Sequence, residues 1–203
     1  MFLSNFPDEK INELPIKLFN GIIYVIHNEN DIEIVKNLIS HKTILGFDTE
    51  TKPSFKKGIK NNIALIQLAD DKEAFLFRIN KIGIPDFLID IFENKNIIKI
   101  GVAIRDDIRG LQKLKNFNPQ SFVDLQTFVK KFNINDNSLR KLTANILNFR
   151  ISKKIRTSDW EKNYLDEKQI AYAATDAWVC YEIYKKLQNT NNDNNKKTKH
   201  TEQ

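Results

Sequence analysis

Three short stretches of this sequence place carboxylates where they could act together. In Phe47-Asp48-Thr49-Glu50 two acids follow the apolar run 43–47, two residues apart. Residues at that spacing on a strand share a face, so both carboxylates can converge on one point. Two anions so placed repel each other unless a cation lies between them; the plainer alternative is a pair of solvated acids at a strand end. In the second stretch a β-branched run over 97–102 leads through Gly101 to Asp106 and Asp107. An acid there can simply oppose the dipole at a helix N-terminus, a reading that competes more strongly for Asp106 than for Asp107. The third stretch carries Tyr172 and Asp176, four apart and therefore on one helical face, with small residues between them. Asp176 could also be a buried acid satisfied by a backbone amide.

Taken together, hard oxygen ligands of this kind suit Mg²⁺ or Mn²⁺. Zinc is disfavoured, because Cys180 is the only cysteine and His27, His41 and His200 form no cluster with the acids. Two such ions can clamp the attacking and leaving oxygens of a phosphodiester displacement, and a neighbouring tyrosine can orient the attacking water.

The elements that must position these residues read as α/β. Short β-rich runs fall at 21–26, 43–47, 63–68, 74–77 and 97–102, with one more at 122–124. Apolar residues recur at helical spacing through 32–39, and the pattern is amphipathic over 85–93. A helix is expected from Asp106, and the chain from 125 onward is helical: 125–132, 138–147 and 167–187. Residues 1–20 read as an N-terminal arm, 21–187 as one domain, and 188–203, which carry no large apolar side chain, as a disordered polar tail. The sum is a mixed sheet flanked by helices.

The ordered set of motifs resembles the DEDD exonuclease superfamily, in its tyrosine-bearing branch with ribonuclease D and the Werner-syndrome exonuclease domain. Phe47-Asp48-Thr49-Glu50 with the strand 63–68 is similar to the first exonuclease motif. Gly101 to Asp107 resembles the second, and its spacing selects Asp107 over Asp106. Tyr172 to Asp176 fits the third; the histidine-bearing variant would carry His where this chain has Ala171. The likeness continues through Ser138, Leu139, Leu142 and Ser158-Asp159-Trp160, and covers roughly residues 21–187. It implies a ribonuclease H-like fold, with Asp48, Glu50, Asp107 and Asp176 holding two Mg²⁺ or Mn²⁺ ions. Tyr172 would orient the nucleophile, and 3′–5′ exonuclease activity would release nucleoside 5′-monophosphates.

The implied partner is a single-stranded 3′ end of nucleic acid, DNA favoured over RNA. A formal net charge of +6 accords with a polyanionic partner, although scattered lysine gives the same figure. Candidate contacts to the strand are Phe55, Lys56 and Lys57 in the loop after the first motif, Arg105 and Arg109 beside Asp107, and Lys154 and Arg156 ahead of Trp160. Trp160 reads as core or as a loop anchor, Asp124 as a structural acid and Cys180 as buried packing. No apolar stretch approaches the ~20 residues of a membrane span, and no signal peptide is evident, so a cytoplasmic protein is expected. A silent binding scaffold on the same fold would be expected to have lost a ligand, and an endonuclease fits the Tyr172–Asp176 pairing less well.

Overall fold

The computed structural model describes residues 2–54, 61–152, 155 and 157–200, with side chains through 190. In chain order the elements are α1 (Asp8–Ile11), β1 (Ile22–Ile26), α2 (Glu29–Ser40), β2 (Ile44–Thr51), β3 (Ile63–Ala69), β4 (Glu73–Phe77), α3 (Ile79–Ile82), α4 (Asp86–Glu93), β5 (Ile98–Gly101), α5 (Arg105–Leu114), β6 (Phe122–Asp124), α6 (Leu125–Phe128), α7 (Leu139–Leu142) and α8 (Glu167–His200). The six strands form one mixed sheet in the order β1-β4-β3-β2-β5-β6. β2, β3 and β4 make an antiparallel meander, while β1, β5 and β6 join in parallel. This is the α/β sheet with flanking helices that the alternation of patterns predicts.

Alternation along the strands sorts side chains into two layers. Leu45 and Phe47 of β2, with Phe75 and Phe77 of β4, face α2, α4 and α5 and pack with Val35, Leu88, Phe92 and Leu111. On the opposite face Leu65, Ala69 and Leu76 meet Tyr172, Ala173, Ala174 and Ala177 of α8. The lower half of α8, through Cys180, Ile183 and Leu187, closes a third cluster with Leu125, Val129 and Leu142.

Side-chain caps mark the starts of α2, α6 and α7. Asn28 and Asp31 form a reciprocal capping box at the start of α2. The expected helix over 125–132 is α6 followed by a 3₁₀ turn at Val129–Phe132, and the one over 138–147 is α7 followed by a π-helical stretch at Thr143–Leu147. β2 runs past the expected end at 47, so Asp48 and Glu50 lie within the strand. The helix that begins at Glu167 carries the backbone of the expected polar tail as far as His200.

Two features were not visible in the sequence pattern. Lys99, in the middle of an apolar strand, is fully buried, and its ammonium donates to the carbonyls of Ile91, Asn94 and Ile97 at 2.7–2.9 Å. It thereby satisfies carbonyls around the end of α4, and burial lowers its pKa to about 8. The N-terminal arm is fastened along its length to the segment 135–150. Phe6 N–H donates to the Asp136 carboxylate, Asn145 exchanges bonds with Leu3, and Arg150 Nε donates to Leu14 O.

Among the described glycines, the closest backbone approach is between β2 and α8. A Cβ added at Gly46 would stand 1.8 Å from the Ala177 carbonyl oxygen. Gly46→Ala is therefore expected to force α8 off the sheet, with a stability loss of about 1–3 kcal/mol, the range for overpacking. Urea unfolding of the variant measures that loss directly; an unchanged midpoint would show that the helix backbone yields freely here.

Candidate active site

Gly46, Asp48 and Glu50 share one face of β2, and that face looks at α8. Because the helix sits on Gly46 at backbone distance, Asp176, one residue before Ala177, arrives beside both strand acids. One carboxylate oxygen from each of Asp48, Glu50 and Asp176 lies within 4.8 Å of the others. Tyr172 is one turn earlier on α8, buried, and packed against the fully buried Trp160 with ring centroids 6.1 Å apart.

Thr49 points the other way and reaches the fourth acid. Its hydroxyl donates to Asp107 Oδ1 at 2.5 Å. Asp107 stands in the first turn of α5, delivered by a turn that Ala103 enters at φ 58°. Asp124 braces that turn: its Oδ1 accepts from Ala103 N–H at 3.1 Å and caps α6 through Gln126 N–H at 2.9 Å. The neighbouring Asp106 points to solvent and pairs with Arg109 at 3.7 Å. Of the two adjacent acids, Asp107 is the one tied to the strand that carries Asp48 and Glu50.

Burial and mutual repulsion shape the protonation of this group. The Asp48 carboxyl is held well above the usual range, first by burial and then by Asp176 and Asp107. Burial raises Asp176 to about 7, and its Oδ1 is buried with no hydrogen-bond partner. Asp107 is also raised by burial. Tyr172 is pushed far up by burial and by the charges of Asp176, Glu50 and Asp48, so its phenol stays protonated. Among the described residues Asp48, Asp107 and Asp176 have no ion-pair partner.

Two full charges at ~4.8 Å repel by roughly 3–4 kcal/mol at an effective dielectric of about 20. Several such pairs would rival the whole stability of a domain, typically about 5–15 kcal/mol. An orphaned buried oxygen amid convergent carboxylates is what an oxygen-seeking divalent cation fits. The donor set matches Mg²⁺ or Mn²⁺ and offers no soft ligand.

Two hollows are lined by these acids, one by Asp48, Glu50 and Asp176 and the other by Asp107. A cavity of about 290 Å³ is lined by Asp48, Glu50, Tyr172 and Asp176, with Arg140 and Cys180 in its wall. A groove of about 820 Å³ runs on the Asp107 side, past Lys52, Asn61, Arg109 and Lys113. Arg109 thus borders the groove, and Arg105 is exposed on the same helix. Lys52 pairs with Asp159 at 3.0 Å. Phe55, Lys56, Lys57, Lys154 and Arg156 lie outside the described residues. Sequence reasoning passed over Thr49 and Arg140. Thr49 lies inside the first motif, and Arg140 directly follows the Ser138-Leu139 pair.

The raised Asp176 carboxyl makes stability depend on pH. With a folded pKa of about 7 against an ordinary carboxylate near 3.8, the native state holds the extra proton in between, so stability falls as pH rises through that window. Metal-free Asp176→Asn is expected to gain melting temperature over the parent at pH 8 and much less at pH 5. Mn²⁺ should raise the parent's melting temperature, more at pH 8 than at pH 6, and leave the variant nearly unmoved. Calorimetry at the stated pH values checks both, and an equal Mn²⁺ response in the two proteins would remove Asp176 from the metal site.

The model of a family described as 3′–5′ exonuclease matches residues 23–191. The bifunctional 3′–5′ exonuclease/ATP-dependent helicase WRN of Mus musculus is 33% identical over 188 residues, covering 88% of this chain and 13% of the relative. A putative 3′–5′ exonuclease of Acanthamoeba polyphaga mimivirus is 31% identical, covering 78% of this chain and 45% of the relative. This chain therefore spans less than half the length of either relative. Among solved structures, the EXO domain of Aedes aegypti Nibbler superposes with a TM-score of 0.73 at 23% identity, covering 82% of this chain and 87% of that one. The shared architecture is the ribonuclease H-like sheet.

Proposed function

This chain belongs to the 3′–5′ exonuclease family, and on that premise we propose that it hydrolyses phosphodiester bonds from the 3′ end of nucleic acid, releasing nucleoside 5′-monophosphates. The observation that carries the reading is the convergence of Asp48, Glu50 and Asp176 within 4.8 Å, next to a buried protonated tyrosine. In this reading Asp48, Glu50 and Asp176 hold one divalent ion, and Asp48 with Asp107 holds a second. When bound, the ions supply an acidified water and offset charge on the phosphoryl and leaving oxygens.

The protein's own groups do the rest. The phenol of Tyr172 remains a hydrogen-bond donor at working pH, which suits it to orienting the attacking water and unsuits it as a base. Water attacks phosphorus and its OH stays on the released 5′-phosphate, the P–O3′ bond breaks, and the proton that the water gives up ends on the released 3′ oxygen. Thr49 keeps Asp107 at the margin of the cluster. The α8 face, built of Ala173, Ala174 and Ala177, holds Asp176 and Tyr172 rigidly against the sheet. DNA is proposed ahead of RNA, the relative joined to a helicase activity being the support for that order.

A gel time course on 3′- and 5′-labelled single-stranded DNA and RNA, with Mg²⁺, Mn²⁺ or EDTA, tests the reading. Laddering from the 3′ end, faster on DNA and stopped by EDTA, is expected. Asp48→Ala, Asp107→Ala and Asp176→Ala should each reduce hydrolysis by about a thousandfold or more, as loss of preorganised charge stabilisation commonly does. Tyr172→Phe should slow turnover by roughly tenfold to a hundredfold and leave oligonucleotide affinity within about twofold. Asp106→Ala should stay near the parent rate. A fully active Asp176→Ala protein would overturn the site, and internal fragments in place of mononucleotides would overturn the exonuclease direction.

A further inference from the structure

Arg140 stands in the wall of the same cavity that holds Asp48, Glu50, Tyr172 and Asp176. It is half-buried, and its Nη2 donates to Asn12 Oδ1 at 2.8 Å. No carboxylate pairs with it among the described residues, although its neighbour Lys141 pairs with Asp8 at 2.9 Å. A guanidinium placed to neutralise the acid cluster would pair with it. This one is steadied by a neutral amide from the N-terminal arm, which fixes its direction and leaves its charge uncancelled.

We propose that Arg140 binds a phosphate oxygen of the substrate's terminal nucleotide, with Asn12 as its positioning residue; this assignment rests on the exonuclease reading of the cavity. A phosphodiester brought to a cluster of carboxylates needs positive charge beside it, and the planar guanidinium fork matches phosphate geometry. The surrounding wall is partly apolar, through Val102, Leu139, Ile151 and Cys180. That lowers the local dielectric and strengthens the pair relative to one in open water. The arm acquires a function on this account. Its contacts with 135–150, together with the Asn12 bond, fix the stretch of cavity wall to which Arg140 belongs.

Binding of a fluorescent single-stranded decamer is measured with EDTA in the Asp48→Asn background, across roughly 50–300 mM salt. Arg140→Ala is expected to weaken binding by about tenfold to a hundredfold, as loss of one charge-assisted bond does. It should also lower the slope of log K against log salt by about 0.7, the increment for one phosphate contact on a single strand. Arg140→Lys should keep the slope and lose part of the affinity, because the charge remains and the fork does not. Asn12→Ala should show a smaller loss of affinity with the slope retained. Thermal melts run alongside, and a well-folded Arg140→Ala protein with parental affinity and slope overturns the proposal. So does an Arg140→Lys protein with the reduced slope of Arg140→Ala. Hydrolysis plays no part in this readout. An Arg140-dependent slope in a protein whose parent never ladders a 3′ end with Mn²⁺ would leave Arg140 assigned and overturn the exonuclease reading alone.

Discussion

Everything at this site depends on how closely one helix lies on one strand. α8 crosses β2 with the Ala177 carbonyl where a side chain at residue 46 would be. Backbone contact of that kind needs glycine below and alanine above, and Ala173, Ala174 and Ala177 supply the latter. A larger residue in either layer would lift the helix, and Asp176 would leave the two strand acids. The remaining architecture supports that approach: the meander sets β2 at the centre of the sheet, and Trp160 wedges Tyr172 from behind.

The approach carries an electrostatic cost. Buried acids that repel one another keep protons they would lose in water, as Asp48 and Asp176 do. The fold tolerates this because β2 and α8 are anchored in large apolar clusters on either side of the acids. A cation that relieves the repulsion is favoured by the same energy that the cluster costs without one, so rigidity and ligand affinity have a common origin. Tyr172 is the counterpart: the field that raises the acids also holds its proton, which sets a hydrogen-bond donor beside a group of carboxylates within one small volume.

Polar groups elsewhere are used to hold backbone. Arg78 is buried and bonds the carbonyls of Lys162 and Asn163, tying the segment before α8 to the end of β4. Lys99 does the same for the end of α4, and Asp124 for the turn into α5. Among the described residues no helix is long and apolar enough to cross a membrane. None of these braces pairs with Asp48, Asp107 or Asp176.

The candidate acids, the tyrosine and the type of element each occupies are legible from residue order alone. Period-two alternation in 43–50 and a four-residue interval in 172–176 are local properties, fixed by strand pleat and helical pitch. The preference for Asp107 over Asp106 rests on motif spacing, whereas the bond from Thr49 to Asp107 is a contact between residues 58 apart in sequence. Such contacts have no local signature. The place of Arg140 in the acid cavity, its tie to Asn12, the burial of Lys99 and the fastening of the arm all join segments whose sequences are unremarkable alone. Only the packing of α8, α7 and the arm on one sheet decided which polar side chains face the acids and which hold the frame. Burial, which sets the protonation of Asp48, Asp176 and Tyr172, follows from neighbours in space rather than neighbours in the chain.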